Sequence, residues 1–183
     1  MAIANLGAPC NRAYRAAHDS GPRSLSAISL VVIHDTEGGS AQGIARYFAH
    51  PPNADVGSTH LVIDDKACYR CLPDAVIPWA APGANVSGFH IELCGYARWS
   101  RLVWSSHRAM LERAAFKSAY HLRKFHLPPV FRTASELQRK LPGVTTHAEV
   151  TKAFRLSDHS DPGRFWPRRY FMGRVRHWYD ALG

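Results

Sequence analysis

The stretch Ile28-Ser29-Leu30-Val31-Val32-Ile33-His34 decides which kind of fold this chain can adopt. A short run dominated by β-branched apolar side chains is typical of a strand that is buried on both faces of a sheet. Such strands occur mainly where helices cover the sheet on both sides. The run ends at His34, so we expect this polar side chain at the mouth of the strand.

Further strands are predicted on both sides of short polar segments. The runs 60–63 and 68–72 flank Asp64-Asp65-Lys66, and this pattern predicts a β-hairpin. Residues 87–95 predict another strand, rich in apolar side chains. The sequence thus supplies several short strands in its first half.

Helical periodicity follows the strands. Ser40 is a suitable N-cap for a short helix that ends before Pro51, and apolar residues at helical spacing predict a long amphipathic helix over 105–126. The segment 144–167 is rich in loop-forming residues, and a last amphipathic helix is predicted near the C-terminus. Strands before and between helices indicate an α/β fold, a central mixed β-sheet flanked by helices.

Length and composition indicate one main domain. A chain of 183 residues with 46% hydrophobic residues is long enough for a single core. Residues 1–25 read as an irregular basic N-terminal arm and residues 26–183 as the main folded domain. We find neither an apolar run long enough to span a bilayer nor a secretion signal, and expect synthesis in the cytoplasm without a signal peptide.

Cysteines contribute little to the prediction. Four in a chain of this size are too few for a disulfide-dense scaffold, and we expect mostly buried thiols. Cys68 and Cys71 could form a metal or redox pair, but no second pair accompanies them at zinc-site spacing. Buried thiols are therefore the favoured interpretation.

The formal charge of +9 indicates an anionic partner. Arginines alternate with aromatic residues over 164–178, a composition that also suits nucleic acid. The helical spacing of these aromatic residues favours core packing instead. We therefore expect no nucleic-acid partner, and possible electrostatic attraction to an anionic wall or membrane surface.

Three residues combine into a candidate metal site. His34 follows a buried strand, and His147 precedes Asp161 by fourteen residues, a gap that a folded-back loop can close. Two imidazoles and one carboxylate suit Zn²⁺ and leave a fourth position for water. This pattern is typical of a hydrolytic rather than a structural zinc site.

Five motifs in order resemble those of the type 2 N-acetylmuramoyl-L-alanine amidase family, whose fold is shared with phage amidases and peptidoglycan recognition proteins. They run from about residue 28 to 167. They read Val31-Val32-Ile33-His34-Asp35-Thr36, Gly57-Ser58-Thr59-His60-Leu61-Val62-Ile63-Asp64, Ile91-Glu92-Leu93, Thr146-His147, and Asp161-Pro162-Gly163 followed by Phe165-Trp166-Pro167.

The resemblance implies a role for each matching position. It implies Zn²⁺ on His34, His147 and Asp161, Glu92 as the catalytic acid–base, and His159 where relatives carry an oxyanion-stabilising lysine. It further suggests substrate contacts from a few residues of the cleft. These are His60, Trp79 and Asn85.

The implied activity is hydrolysis of the amide bond between N-acetylmuramic acid and L-alanine in bacterial peptidoglycan. Three alternatives stay open: a non-catalytic peptidoglycan recognition module, another zinc hydrolase acting on the stem peptide, and a cell-wall recycling amidase. Charge and the unusual His159 favour a phage endolysin amidase domain that reaches the wall after holin-type release. We expect a monomer, which could be one domain of a longer lysin.

Overall fold

The computed structural model describes residues 6–183, which form a sheet with helices on both faces. A 3-10 turn at Leu25–Ala27 precedes the first strand. The strands are β1 (Leu30–Asp35), β2 (Leu61–Ile63), β3 (Cys68–Arg70), β4 (Gly88–Leu93) and β5 (Gly143–Thr146). The helices are α1 (Ala41–Ala49), α2 (Arg101–Ser106), α3 (Arg108–Lys124), α4 (Ala134–Gln138), α5 (His147–Phe154) and α6 (Arg168–Ala181). None of these helices has the length and apolar character needed to cross a bilayer.

The sheet has the strand order β3-β2-β4-β1-β5. Strand β1 is parallel to both of its neighbours, and only β3 runs antiparallel to its partner β2. The predicted hairpin is thus the β2–β3 pair, and the predicted α/β fold with a mixed sheet is confirmed. Parallel pairing brings the carboxyl ends of β1, β4 and β5 to one edge.

Alternate residues of β1 face two separate hydrophobic clusters. Val31 and Ile33 belong to the larger cluster, which includes residues of α3 and α6 such as Leu111 and Phe171. Leu30 and Val32 join a smaller cluster with residues of α4 and α5. All four strand residues are buried, as a sheet covered on both faces requires.

Two predictions about local structure were wrong. The helix predicted over 105–126 is interrupted at His107, where α2 ends and α3 begins. The loop predicted over 144–167 contains β5 and α5. Strand β5 has only four residues and is stabilised by pairing with β1, which a local reading of the sequence does not detect.

The described part of the N-terminal arm follows the outer edge of β3. The backbone N–H of Asn11 donates to the Cys68 carbonyl, and the Arg70 N–H donates to the Asn11 carbonyl. This pairing places Cys10 beside Cys68, and the two form a disulfide across a Cα–Cα distance of 4.8 Å. Residues 1–5 of the predicted arm lie outside the described residues.

Buried thiols were therefore the wrong prediction for Cys10 and Cys68. The pairing is long-range, across 58 residues, and no local spacing signals it. Cys71 and Cys94 are buried free thiols, as predicted.

Asp74 joins β3 and α3 through its buried carboxylate and the arm through its backbone carbonyl. Arg70 donates to Oδ1 at 2.5 Å and Lys124 donates to Oδ2 at 2.6 Å. Arg23 donates to the Asp74 backbone carbonyl at 3.0 Å. Burial opposes ionisation, but Lys124 and Arg70 outweigh it and lower the pKa of Asp74 to about 2.

We expect Asp74→Asn to lower the free energy of unfolding by about 2 kcal/mol at pH 7. Because the folded pKa is lowered, this stabilisation is present above about pH 4 and is lost as the pH falls toward 2. Denaturant unfolding of both proteins at pH 7, 4 and 2.5 measures the difference. Asp180→Asn, an exposed matched control, should stay at the wild-type value, and a gap for Asp74→Asn that does not shrink with acid would contradict the assignment.

Candidate functional site

The register of the parallel strands brings three site residues to one edge of the sheet. His34 of β1 lies directly opposite Glu92 of β4. Ile33 lies opposite Thr146 of β5, so His147 follows beside His34. Thr146 also caps α5 by accepting from the Glu149 N–H, and the helix therefore begins at His147.

A loop supplies Asp161. Its backbone carbonyl accepts from the Ala148 N–H at 2.9 Å, in the first turn of α5. Its carboxylate oxygen Oδ2 lies 3.4 Å from the Asp35 N–H, beyond His34 in β1. Both contacts position Asp161 over the end of the sheet, next to His34 and His147.

The ligand-type atoms of His34, His147 and Asp161 face one another. The two Nδ1 atoms are 3.2 Å apart, and they lie 3.3 Å (His34) and 3.0 Å (His147) from the Asp161 carboxylate. Ligands placed about 2.0–2.1 Å from a tetrahedral zinc ion are separated by about 3.3 Å. The three residues are also the group in the described chain that can hold a metal ion, and all are buried.

The surroundings of these residues favour a cation. Asp161 Oδ1 is buried and has no hydrogen-bond partner among the described residues. Burial opposes ionisation of Asp161, yet the contacts with His147 and His34 outweigh it and lower the pKa of the carboxyl. Burial likewise lowers the pKa of His34, so its imidazole tends to be neutral, the form that binds a metal.

Glu92 and Asp35 place two more carboxyl groups beside this group. Glu92 Oε1 lies 4.0 Å from His34 Nδ1, while Oε2 is buried and without a hydrogen-bond partner in the described chain. Burial, together with Asp161 and Asp35, raises the pKa of Glu92 well above its usual value. Burial also raises the pKa of Asp35, to about 8. A bound cation would reduce the repulsion between these three neighbouring carboxyl groups when they ionise.

His159 lies on the solvent side of the group. Its ring stacks on His147 with a centroid distance of 4.4 Å, and its Nδ1 lies 3.4 Å from Asp161 Oδ1. Its side chain is 61% exposed and borders the cleft. Its exposed side chain can therefore contact a bound substrate directly, whereas the three metal-ligand candidates are buried.

His90 lies behind His34, away from solvent. His34 Nε2 and His90 Nδ1 are 2.9 Å apart, and His90 Nε2 lies 3.3 Å from the Ala84 carbonyl. The ring is fully buried and folds over Gly88, where a Cβ would approach His90 Nε2 to 2.3 Å. The strand therefore accommodates His90 only because residue 88 is glycine.

A cleft of about 510 Å³ opens over the site. Trp79, Asn85, Glu92 and His159 are among its lining residues, together with the three metal-ligand candidates. The Trp79 side chain is well exposed there. Asn85 holds the cleft loop, because its side-chain oxygen accepts from the N–H groups of Ala80 and Ala81.

His60 is not in the cleft where the sequence led us to expect it. It is fully buried and stacks on Phe89 with a centroid distance of 4.6 Å. Its Nδ1 accepts from the His90 N–H, and its Nε2 lies 2.7 Å from Arg23 Nη2. A fully buried side chain cannot contact the substrate. The predicted substrate contact of His60 was therefore wrong.

Sequence reasoning missed two participants. Asp35 lies within the first quoted motif and His90 directly precedes the third, yet their roles depend on which face of the sheet they occupy. His90 lies two residues before Glu92 on the same strand, and period-two alternation was the signal that could have found it.

Comparison with known proteins places the fold. The chain has a TM-score of 0.75 to the hydrolase AmiA of Staphylococcus aureus in complex with its ligand, at 16% identity over 96% of this chain and 85% of that one. It has a TM-score of 0.59 to the N-acetylmuramoyl-L-alanine amidase LysC of Clostridium intestinale, at 16% identity over 92% and 99%. A mutant endolysin from Bacillus subtilis gives 0.61, at 15% identity over 91% and 98%. No curated protein sequence matches the chain.

The family is identified by the sequence itself. Residues 24–164 match the N-acetylmuramoyl-L-alanine amidase family, which is most of the chain and contains every residue of the site described above. The predicted family is confirmed. This chain accordingly belongs to the N-acetylmuramoyl-L-alanine amidase family and is an enzyme that hydrolyses an amide bond of bacterial peptidoglycan.

Proposed function

We propose that the enzyme is a zinc-dependent amidase that cleaves the bond between N-acetylmuramic acid and L-alanine. The observation that carries the proposal is the mutual approach of His34, His147 and Asp161 at tetrahedral ligand spacing, with a buried oxygen on Asp161 that accepts no hydrogen bond. Two imidazoles and one carboxylate are a common ligand set of catalytic zinc. Bound Zn²⁺ supplies a Lewis acid that polarises the scissile carbonyl and activates a water molecule.

Glu92 is the proposed general base and acid. It lies next to the ligand group and borders the cleft, with one oxygen unpaired, so it can take a proton from the attacking water and return it to the departing amine. His159 is proposed to donate an N–H to the developing oxyanion, which its exposure at the cleft and its stacking on His147 support. Trp79 and Asn85 are proposed to contact the substrate, since both line the same cleft.

We further propose that the enzyme lyses the wall as a phage endolysin and works as a monomer. This role is supported by the fold, since a solved endolysin structure is similar to it. Production of the enzyme in bacterial cells, with and without a co-produced membrane-permeabilising protein, tests the role. Lysis that needs no permeabilisation would contradict release through a holin-type pore.

Removal of the proposed base and of a proposed ligand should have different effects. We expect Glu92→Gln to lose at least about 100-fold in turnover with zinc still bound, and Asp161→Ala to lose both zinc and turnover. Release of N-terminal alanine from purified peptidoglycan and metal content by mass spectrometry measure the two properties. Glu37→Gln, a substitution of an exposed carboxylate that lines a cavity adjoining the cleft, is the matched control.

Several outcomes of that experiment would overturn the proposal. Full activity after complete chelation would contradict the proposed zinc dependence. Full turnover by Glu92→Gln would contradict the proposed role of Glu92 as the general base. Release of stem-peptide amino acids without new N-terminal alanine would indicate a peptidase. Wall binding without cleavage would indicate a recognition module.

His90 is proposed to orient His34 for metal binding. Since the Ala84 carbonyl can only accept, His90 Nε2 carries the proton and His90 Nδ1 accepts from His34 Nε2–H. This leaves His34 Nδ1 unprotonated and directed at Asp161 and His147. A partner on the second ring nitrogen of a ligand histidine normally fixes its tautomer and orientation.

We expect His90→Phe to weaken zinc binding by about 10- to 100-fold, because His34 loses the acceptor that fixes its tautomer. Competition with a chelator of known affinity measures the change. His121→Phe is the control, since His121 is another buried histidine whose ring contacts Phe89 and not the ligands. Equal zinc affinity in His90→Phe and wild type would refute the orienting role.

The surface beside the loop that supplies Asp161 is basic. Arg101, Arg164, Arg168 and Arg169, termed the arginine cluster, line a cavity of about 500 Å³ and make no ion pair with any carboxylate of the described chain. By contrast Arg174 binds Glu112. Of the aromatic residues predicted to pack in the core, Phe171 and Trp166 are buried, whereas Phe165 and Tyr170 are exposed. We propose that the arginine cluster attracts the enzyme to the anionic wall.

Neutralising two members of the arginine cluster should slow wall lysis mainly at low salt. We expect Arg168→Gln/Arg169→Gln to reduce the lytic rate several-fold at about 20 mM salt and to differ little from wild type at about 300 mM, since screening removes the attraction. Turbidity of wall suspensions across a salt series measures this. Arg12→Gln/Arg108→Gln removes the same charge elsewhere, and a wild-type rate that is insensitive to salt would contradict the proposal.

A further inference from the structure

The N-terminal arm passes behind two loops that line the cleft. The Ala17 N–H donates to the carbonyl of Phe48, at the end of α1, at 2.9 Å. His18 Nδ1 lies 2.7 Å from the Val56 carbonyl, in the loop that follows. The Ser20 N–H donates to the Ile77 carbonyl, in the second loop, at 2.9 Å. The arm thereby contacts both loops, which are also joined directly, since the Ser58 N–H donates to the Trp79 carbonyl at 2.8 Å.

The side chain of Trp79, in the second loop, contacts two residues of the arm. Its indole stacks on the His18 ring with a centroid distance of 5.0 Å and an interplanar angle of 26°. Its Nε1–H donates to Ser20 Oγ at 2.8 Å. The backbone of Trp79 is separately held by Ser58, whose hydroxyl accepts its N–H at 2.9 Å. The arm therefore sets the orientation of the ring, while Ser58 sets the position of the backbone.

Two anchors fix the part of the arm that carries these contacts. On one side the Cys10–Cys68 disulfide attaches it to β3. On the other side the Arg23 guanidinium enters the core, where Nη1 donates to the carbonyls of Asn85, Val86 and Gly88. Residues 17–20 lie between these anchors and are outside the segment 24–164 that matches the amidase family.

Trp79 remains 41% exposed although one of its faces is covered by His18. The exposed part borders the same cleft as Glu92 and His159. An immobile tryptophan offers a large apolar surface to a ligand at a small entropic cost on binding. A freely rotating ring would pay that cost each time substrate binds.

From these contacts we propose that His18 and Ser20 are positioning residues of the substrate cleft, which hold the Trp79 indole ready for the muramoyl-peptide part of peptidoglycan. The inference rests on the proposed function of the cleft. It assigns to the arm a part in substrate binding that lies outside the metal site. His18 and Ser20 act through Trp79 and touch neither the ligands nor Glu92.

Binding of a soluble muramoyl-peptide fragment to the zinc-loaded full chain tests the inference. We expect His18→Ala/Ser20→Ala to raise the dissociation constant and KM by about 3- to 10-fold, with kcat and zinc affinity unchanged. Calorimetry and steady-state kinetics measure these quantities. Ser20→Thr keeps the hydroxyl acceptor and should bind like the wild type.

The matched control is His177→Ala/Ser26→Ala. His177 contacts Trp178 on α6, and Ser26 lies beyond the arm, so the control removes the same side chains without affecting the cleft. In a Trp79→Ala background the two arm substitutions should have no further effect on binding, since the residue through which they act is gone.

Each outcome decides between the proposals. Wild-type binding and KM in His18→Ala/Ser20→Ala, or an equal loss in the Trp79→Ala background, would overturn the role of the arm. A fall in zinc affinity or kcat would make the arm merely structural and overturn it as well. Binding without cleavage by the wild type would overturn the proposed function alone, whereas a wild type that neither binds nor cleaves the fragment would overturn both.

Discussion

The parallel pairing of β1 with β4 and β5 is the constraint on which the rest of the molecule depends. It places His34 opposite Glu92 and beside His147 at one edge of the sheet. Because side chains alternate between the faces of a strand, a slip of one residue would move His34 into the apolar cluster that contains Ile33. The register is secured by burial of the alternating apolar residues on both faces, so core packing and site geometry have the same origin.

A buried polar layer connects the site with the N-terminal arm. His34 contacts His90, the backbone N–H of His90 donates to His60, and His60 contacts Arg23. Polar groups in a core are costly unless each has a partner, and here the chain of partners ends at backbone carbonyls. Burial lowers the pKa of Arg23 to about 10, with Asp74 opposing that shift, so the guanidinium remains charged at neutral pH. The arm thus supplies a charge inside the domain that it borders.

The distribution of charge divides the molecule into two regions. Within the cleft, the carboxyl groups of Asp35, Glu92 and Asp161 form a small acidic centre suited to a cation. Outside it, the chain carries a formal charge of +9, with the arginine cluster close to the loop that supplies Asp161. The basic surface and the acidic centre are therefore formed by separate groups of residues.

The sequence by itself determined the fold class, the hairpin, the family and the residues that now form the metal-site candidate, because β-branched runs, helical periodicity and ordered motifs are local signals. The tertiary structure alone decided the Cys10–Cys68 disulfide, the burial of His60, the contact of His90 with His34 and the support of Trp79 by the arm. Each of these joins residues far apart in the chain or depends on which face of a strand a side chain occupies. Strand β5 was missed for the same reason, since four residues become a strand only through their pairing with β1. Local propensity depends on neighbouring residues and can be predicted from the sequence, whereas contacts across the sheet form only when the chain has folded.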